Sequence, residues 1–368
     1  MIRCLIIKIS SLGDIIHTLP ALTDALNAIG DIQFDWVVEE GFQEIPSWHP
    51  AVNKVIPVAL RRWKKNIIQS VFSSEWKVFK QQIRAQQYDV IIDAQGLLKS
   101  ALLTRLVKGK TYGLDKLSAR EAIASHFYQY PQSISRNQHA VERTRQLFAK
   151  ALDYKLPIAF DYGLGNTITN FSKVTDKTRA KKNQILFFHG TTWETKHWPE
   201  QYWLQLARLL ISDGYEILLP WGNEQEKLRA QRIKKAIKKP PDNTKIDTAG
   251  IRILPKMSLQ EIFVQLIDVA AVVAVDTGLA HLAAALDIPL VSLFGPTNPG
   301  LTRPYGAHKG KQLQIQVDFA CIACLKRTCS FSQQDQAVNK QHISPACYID
   351  LTPDRVRQAL YQLLENSA

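Results

Sequence analysis

Short runs of apolar residues alternate along this chain with stretches in which apolar residues recur every three or four positions. The runs have the length and β-branched content of buried strands, and the periodic stretches have the spacing of amphipathic helices. In the first half the predicted strands are Cys4–Ile9, Phe34–Val38, Val55–Ala59 and Val90–Asp93, and the predicted helices are Val78–Ala85, Ala101–Val107 and His139–Leu152. Strands that alternate with helices predict an α/β fold with a parallel sheet.

The same alternation restarts in the second half, after a segment between Gly163 and Gln184 that lacks periodicity. The predicted strands there are Ile185–Phe188, Ile217–Leu219, Ile251–Leu254, Val272–Val275 and Leu290–Phe294, and the predicted helices are Glu200–Ile211, Glu224–Ile237, Leu259–Ile267 and Leu279–Leu286. We therefore expect two doubly wound, Rossmann-like domains facing across a cleft, which also agrees with the length of 368 residues.

The expected domain limits follow from this pattern. An N-terminal domain at residues 1–165 precedes a linker at 166–183, a C-terminal domain at 184–350 and a terminal helix at 351–368. The helical pattern at Pro353–Leu364 does not indicate on which domain that helix packs.

Composition narrows the class of protein. Hydrophobic residues make up 46% and charged residues 21%, which is typical of a globular protein, and the net charge of +13 favours phosphate-bearing or otherwise acidic partners. Zinc-finger, RNP-like and basic-zipper signatures are missing from the sequence, so nucleic acid is a disfavoured partner. The apolar run at the N-terminus meets Ser10, Ser11 and Gly13 too early for a signal peptide or spanning helix, and we expect a cytoplasmic location.

The first motif, Ser10–Asp14, follows the first predicted strand and precedes a helical pattern. Open α/β sheets bind ligands at the carboxyl ends of their strands. Asp14 could cap the helix, or its carboxylate could serve as a general base, and both interpretations stay open at this point.

Two motifs in the second half also follow predicted strands. Asp276, Thr277, Gly278 and His281 surround a predicted helix start, where exposed backbone amides suit a diphosphate, although a helix cap and a surface histidine would fit equally. His189–Trp193 and Lys196–Glu200 combine hydroxyls, a glycine and a lysine, which suits a phosphate site. We expect Lys196 to neutralise a leaving group and Trp198 to be a packing residue.

Basic residues cluster at Arg61–Lys65, with further ones at Lys99, Arg120, Arg143 and Arg145. Such a run is commonly a solvated face, but its position after a predicted strand also suits an acidic acceptor. Cys321, Cys324, Cys329 and Cys347 have a spacing that could hold a structural zinc ion, or they could be reduced thiols.

Taken together, nine segments of the chain resemble the heptosyltransferases of glycosyltransferase family 9. These are Ile7–Asp14, His17–Asp24, Asp35–Phe42, Ile45–His49, Asp93–Leu97, Lys196–Pro199, Leu219–Gly222, Asp276–Leu279 and Gly295–Thr297, and the resemblance extends to about Gly306.

The resemblance implies the GT-B fold and an inverting transfer that needs no metal and no cofactor. It implies ADP-L-glycero-D-manno-heptose as donor in the C-terminal half and Kdo-modified lipid A as acceptor on the N-terminal side. A lipid acceptor and a basic N-terminal half lead us to expect peripheral contact with the anionic cytoplasmic face of the inner membrane.

The resemblance also implies roles by position. Asp14 would be the general base, and Lys196 would contact the donor diphosphate. The other expected donor-binding residues are Thr191, Thr192, Glu226, Met257, Asp276, Thr277, Gly278 and His281, and the expected acceptor-binding residues are Ser11, Arg61, Arg62, Lys65 and Arg120.

Other functions remain compatible with the sequence. The tail from Cys321 to Cys347 looks like those of other family members. Within the family, the alternative is a different transferase, such as a heptosyltransferase that acts on an already heptosylated core. Outside the family, a basic lipid- or nucleic-acid-binding module would explain the charge without catalysis, and a two-domain sugar-nucleotide epimerase would turn over donor alone.

Overall fold

The computed structural model describes residues 1–66, 69–70, 72–173, 183–237, 250–307, 310–317, 323–329 and 343–366. The chain divides into two compact units, Met1–Thr167 and Ile168–Ala368. None of the helices in the described ranges has the length and apolar character needed to span a lipid bilayer.

Unit 1 contains a parallel six-stranded sheet in the order β3-β2-β1-β4-β5-β6. The central strands are apolar and buried because helices cover both faces of such a sheet, and Cys4, Leu5, Ile6 and Ile7 have no exposed surface. The strands are β1 Ile2–Ile7, β2 Ile32–Glu39, β3 Val52–Val58, β4 Val90–Asp93, β5 Lys110–Leu114 and β6 Tyr130–Gln132.

The helices of unit 1 fill the connections between these strands. They are α1 Leu12–Ile16, α2 Leu19–Ile29, α3 Glu44–Ser47, α4 Leu60–Trp63, α5 Ser74–Ile83, α6 Leu98–Thr104 and α7 Ala140–Leu152, with 3-10 turns at Glu40–Phe42, Lys64–Asn66 and Ala122–Phe127. The helical pattern after β1 is split into α1 and α2, because Pro20 at the start of α2 lacks the N–H that a continuous helix would need.

Unit 2 repeats the arrangement in the order β12-β11-β10-β7-β8-β9, again with all strands parallel. Read from its first strand, this is the same 3-2-1-4-5-6 order as in unit 1, the order of dinucleotide-binding sheets. The strands are β7 Gln184–Phe188, β8 Glu216–Leu219, β9 Ile251–Ile253, β10 Ala271–Val275, β11 Leu290–Phe294 and β12 Gln312–Gln316.

The remaining helices are α8 Gly165–Ser172, α9 Glu200–Ser212, α10 Glu224–Ile237, α11 Leu259–Leu266, α12 Gly278–Ala285, α13 Pro299–Thr302 and α14 Pro353–Glu365, with 3-10 turns at Glu194–Lys196 and Ala346–Tyr348. The terminal helix α14 belongs to unit 2, since Val356, Leu360 and Leu363 are buried in its core. This settles the packing that the sequence left open.

The structure differs from the sequence-based expectation at the linker and at the sheet edges. Helix α8 occupies the start of the predicted linker 166–183 and the division between the units lies inside it, while residues 174–182 lie outside the described residues. The predicted domain limits themselves remain a prediction. Strands β5, β6 and β12 were not predicted, because they are short or rich in polar residues.

Candidate active site

In unit 1 the loop after β1 meets the loop after β4, at the point where the strand order reverses. The backbone N–H groups of Ile9 and Ser10 both donate to Oε1 of Gln95, at 3.0 and 3.1 Å. Such switch points are where open α/β sheets bind ligands. The motif Ser10–Asp14 therefore lies at the carboxyl ends of the strands, as the sequence predicted.

Asp14 is half-buried in the first turn of α1. Its Oδ2 accepts hydrogen bonds from the backbone N–H and from the hydroxyl of Ser11, each at 2.8 Å. Both donors reach the same oxygen, so the carboxylate satisfies the helix start and is held in one orientation. The capping interpretation is thus confirmed as a contact, and the role of general base remains a proposal.

A buried lysine beneath this loop was not singled out from the sequence. The side chain of Lys8 is 7% exposed, and its Nζ donates to the carbonyl oxygen of Ala94 at 2.8 Å. Burial lowers the pKa of Lys8, and the charges of Asp14 and Asp93 act in the opposite direction. Its sequence signals were a lysine inside an apolar strand run and its place in the segment Ile7–Asp14, which carries the family resemblance.

Asp93, at the end of β4, has no exposed surface. It accepts hydrogen bonds from the Tyr128 hydroxyl at 2.8 Å and from the backbone N–H groups of Gln95 and Gly96 at 2.8 and 3.3 Å. Burial raises the pKa of Asp93, and these hydrogen bonds oppose that effect. Asp93 therefore fixes the turn that presents Gln95 to the loop after β1.

The residues predicted to bind the acceptor follow strands β1, β3 and β5, so they also lie at the carboxyl ends of the strands of this sheet. The backbone N–H of Glu39 donates to Ile9 at 3.1 Å, and its carboxylate accepts from the backbone N–H of Arg61 at 3.0 Å, so α4 begins beside the loop after β1. Arg61, Lys65 and Arg120 are exposed. Arg120 also acts electrostatically on Lys8.

Arg62 differs from its neighbours because two carboxylates share its charge. Its guanidinium lies 3.0 Å from Glu40 and 2.8 Å from Glu75. All three side chains are about half exposed, so these ion pairs add little stability but do fix the direction of the arginine. An acidic ligand would have to compete with both carboxylates.

In unit 2 three loops converge on Asp276 at the carboxyl end of β10. Lys196 Nζ lies 2.7 Å from Oδ2 of Asp276, and the Thr297 hydroxyl donates to the same oxygen at 2.6 Å. The Thr191 hydroxyl donates to the backbone carbonyl of Asp276 at 3.2 Å. Residues from the loops after β7, β10 and β11 thus form one cluster, and Thr297 is a member that was not predicted as a site residue.

The cluster opens onto the start of α12. Thr277 is the N-cap residue, Gly278 begins the helix, and His281 is buried in its first turns. The first amides of a helix have no partner within the helix and can bind an anion such as a phosphate. Lys196 Nζ also lies 4.7 Å from the centre of the Trp193 ring, which limits the positions the ammonium can adopt. Thr192, the neighbouring predicted donor residue, is exposed.

The residues predicted to bind the adenosine of the donor, Glu226 and Met257, follow strands β8 and β9 of the unit 2 sheet. Glu226 in α10 accepts a hydrogen bond from the backbone N–H of Gly222 at 2.7 Å. A Cβ atom at Gly190 would lie 2.4 Å from the Glu226 carboxyl group, so the glycine lets this side chain approach the loop after β7. Met257 is half-buried between β9 and α11.

A cavity of about 220 Å³ lies on another side of the Lys196 loop. Its lining includes His197, Arg229 and Cys329, and it does not include Asp276 or Glu226. Burial lowers the pKa of His197 to about 4, and the nearby Arg229 guanidinium acts in the same direction. The cavity is therefore separate from the Asp276 cluster, and Trp198 beside it is a buried packing residue as predicted.

The predicted zinc site cannot be followed through the whole cysteine set, because Cys321 lies outside the described residues. Cys324 and Cys329 are unpaired thiols, and Cys347 is buried. Over the described ranges, no three His, Cys, Asp or Glu side chains come together as a metal-binding group. The zinc site stays a prediction.

Two Rossmann-like units in one chain, each with polar residues at the switch point of its sheet, are the architecture of GT-B glycosyltransferases. The sequence profile of glycosyltransferase family 9 (heptosyltransferase) matches residues 76–334. The chain belongs to this family and is a glycosyltransferase.

Individual relatives agree with this assignment. Lipopolysaccharide heptosyltransferase 1 of Pseudomonas aeruginosa is 50% identical over 368 residues, which cover 98% of each chain. The structure of Escherichia coli heptosyltransferase WaaC with ADP superimposes with a TM-score of 0.81 at 42% identity, covering 98% of this chain and 100% of that one. WaaC with ADP-2-deoxy-2-fluoro heptose gives a TM-score of 0.74 at 45% identity, covering 86% and 94%.

Proposed function

We propose that this glycosyltransferase moves L-glycero-D-manno-heptose from ADP-heptose to a Kdo residue of Kdo-modified lipid A, in the synthesis of the lipopolysaccharide inner core. The name of the Pseudomonas relative and the ADP-heptose analogue bound to WaaC support the reaction and the donor. The proposal rests on two sites, each at the point where the strand order of its sheet reverses. The site in unit 1 contains the carboxylate of Asp14, and the site in unit 2 contains the amine of Lys196, hydroxyl groups and the start of α12.

In the proposed reaction Asp14 is the general base. Its carboxylate takes the proton from a Kdo hydroxyl while that oxygen forms a bond to the anomeric carbon of the heptose. The bond between that carbon and the β-phosphate oxygen of ADP breaks on the opposite face, so the configuration inverts. ADP leaves with the electron pair and gains negative charge.

Unit 2 would stabilise that charge. Lys196 and the first amides of α12 provide a cation and N–H donors for the diphosphate, and Thr191 and Thr192 provide hydroxyls beside them. Because Lys196 pairs with Asp276 in the structure, a bound diphosphate would share or replace that carboxylate. Glu226 and Met257 are assigned to the adenosine, and Thr277, Gly278 and His281 to the heptose and phosphates.

Unit 1 would bind the acceptor. Kdo carries a carboxylate and lipid A carries phosphates, and Arg61, Lys65 and Arg120 are exposed cations. Arg61 is linked through Glu39 to the loop that holds Ser11 and Asp14. Arg62 is assigned to the same set, although Glu40 and Glu75 already share its charge. We propose a metal-independent reaction without a cofactor, at the cytoplasmic face of the inner membrane.

The decisive experiment is a transfer assay with purified protein, ADP-heptose and Kdo-modified lipid A, read by mass spectrometry. The proposal requires a product heavier by one heptose. A parallel reaction with an already heptosylated acceptor separates the alternative, a heptosyltransferase II activity. Reaction only with that second acceptor, or turnover of donor without any acceptor, would refute the proposal.

A further inference from the structure

In the described part of residues 60–84 of unit 1, α4 and the 3-10 turn Lys64–Asn66 are joined by side-chain contacts to α5, and we call this segment the basic hairpin. Glu75 of α5 joins its two arms, because it accepts hydrogen bonds from the Arg62 guanidinium at 2.8 Å and from Trp63 Nε1 at 3.0 Å. The Trp63 and Trp76 rings lie perpendicular to each other at 5.4 Å. The described part of the hairpin is therefore a packed element of the unit.

Charge is concentrated in this segment. Seven of the residues from 60 to 84 are Lys or Arg and one is acidic, a net charge of +6 in a chain whose total is +13. Lys64, Lys65 and Lys77 are exposed. Such a density of cations on one short element favours a surface of opposite charge over a solvent-facing role alone.

Apolar side chains accompany these cations at the surface. Phe72 is 76% exposed and Val78 is 49% exposed. In α5 the buried face is made by Phe79 and Ile83, so Val78 lies on the other face beside Lys77. A single exposed apolar residue is ordinary, but a large aromatic residue within a strongly basic segment has the composition of elements that bind at membrane surfaces.

We propose that the basic hairpin docks on the anionic surface of a phospholipid bilayer. Lys64 and Lys77 face the lipid phosphates, and Phe72 enters the headgroup region. Charge and apolar burial act together here, which is the combination that holds a protein reversibly on a membrane. The inference extends the proposed function, since a lipid acceptor would lie in that bilayer.

The docking surface can be tested apart from acceptor binding. Arg61, Arg62 and Lys65 are assigned to the acceptor, whereas Lys64 and Phe72 are not. The variant Lys64→Gln with Phe72→Ser alters only exposed side chains, so the fold should be kept, as unchanged thermal unfolding would verify. The matched control is Lys155→Gln with Ile158→Ser, which changes an exposed lysine and a fully exposed apolar residue elsewhere in unit 1.

Binding is measured by sedimentation of the full chain with vesicles of phosphatidylethanolamine containing about a quarter phosphatidylglycerol, with no acceptor present. We expect binding that weakens as salt is raised and that is much weaker to phosphatidylcholine vesicles. One basic residue near such a surface contributes about fivefold in affinity. With the loss of Phe72 the hairpin variant should therefore bind at least about tenfold more weakly.

The control variant should bind as the wild type does, and both variants should keep the wild-type kcat with a deacylated, water-soluble acceptor. Equal binding of the hairpin variant and the wild type would overturn the proposal, as would an equal loss in the control. A change in the oligomeric state of the hairpin variant with unchanged vesicle binding would assign the surface to a second copy instead. Vesicle binding without heptose transfer would keep the docking surface and remove only the proposed function.

Discussion

The orientation of Asp14 depends on one small neighbour. Ser11 supplies both the backbone N–H and the hydroxyl that hold Oδ2, and these two hydrogen bonds restrict the orientation of the carboxylate. A base held in this way loses little entropy when the acceptor binds. The contact that caps α1 and the proposed catalytic role are therefore compatible in one side chain.

Replacing Asp14 with Asn should lower kcat about 10²–10⁴-fold, because the amide keeps the size and the hydrogen bonds but cannot take a proton. The dissociation constant for ADP, measured by calorimetry, should change little. Ser11→Ala leaves the backbone donor in place and should cost much less. An equal loss of ADP binding in the Asn variant would make Asp14 a structural residue.

Lys8 provides a second prediction at this scale. Its buried ammonium favours the ionised form of the nearby Asp14, so Lys8→Met should make the carboxylate easier to protonate. In a plot of kcat/KM against pH, the acidic limb should then move to higher pH. Tyr88→Phe, which removes a buried hydrogen bond to Asp35 of 2.7 Å in the same unit, is the control for general destabilisation. A fall in rate without movement of the limb would show that Lys8 is merely structural.

His49 predicts how stability depends on pH. Its Nδ1 accepts from the backbone N–H of Ala51 at 3.1 Å and its Nε2 lies 2.9 Å from the Thr23 hydroxyl, an arrangement that requires a neutral ring. Burial lowers the pKa of His49 from 6.5 to about 4. The unfolded chain therefore binds the proton more readily, and stability that is complete above pH 6.5 is lost as the pH falls towards 4.

Urea unfolding of the wild type and of His49→Gln, at several pH values between 7.5 and 4, tests this dependence. The variant should be less stable at pH 7.5, because it loses buried contacts, and its stability should fall less steeply between pH 6.5 and 4. Parallel curves for the two proteins would show that His49 does not titrate with unfolding.

At the scale of elements, the Asp276 cluster shows how adjacent strands build a site. Parallel strands end at the same edge of the sheet, so loops that are distant in sequence, after β7, β10 and β11, come within hydrogen-bonding distance. Lys196 is the cation of this cluster. Its pairing with Asp276 holds the ammonium at the start of α12.

Lys196→Ala should weaken ADP binding by about tenfold or more, the usual effect of losing a charged hydrogen-bond donor, and it should also slow transfer. Lys311→Ala is the control, because it removes a lysine that makes a 2.7 Å pair with Asp287 elsewhere in unit 2. Unchanged ADP affinity and rate in Lys196→Ala would remove this residue from the donor site.

The sequence predicted elements well where burial is strong. Central strands such as β1 and β10 are continuous apolar runs, because both faces of a parallel sheet are covered. Edge strands lack that signal: β6 contains Pro131 and is three residues long, and β12 alternates glutamine with apolar residues. Propensity alone could not have found them, since pairing with β5 and β11 is what makes them strands.

The residues of the two candidate sites were also predicted only in part. Asp14, Lys196 and Asp276 follow apolar runs, and that position makes them visible in the sequence. Thr297 and Lys8 lie in segments that carry the family resemblance but were not predicted as site residues. Thr297 reaches Asp276 only because the loop after β11 approaches it, and the direction of the Lys8 amine cannot be read from its place in a strand. Such facts depend on tertiary contacts and have no local pattern.

For the whole molecule, the two units have the same strand order and separate cores. Residues proposed to bind the donor are all in unit 2, and those proposed to bind the acceptor are all in unit 1. Ligands should therefore stabilise the units selectively, since binding to a native site stabilises the region that forms it.

Hydrogen exchange measures this selectivity. ADP should slow exchange in the loops around residues 189–198 and 276–281, and a deacylated Kdo acceptor should slow it around residues 10–14 and 118–121. Protection by ADP confined to unit 1 would contradict the assignment of the donor.

Among the residues that the structure describes, every strand ladder of each sheet is closed within one continuous half of the chain, on either side of Thr167. A single genetic crossover near that position would exchange one complete half between two family members and leave all backbone pairing intact. Under the proposed assignment of the acceptor to unit 1 and the donor to unit 2, the two preferences would be inherited separately, and chimeras joined at α8 should change the glycolipid recognised while keeping the activated sugar.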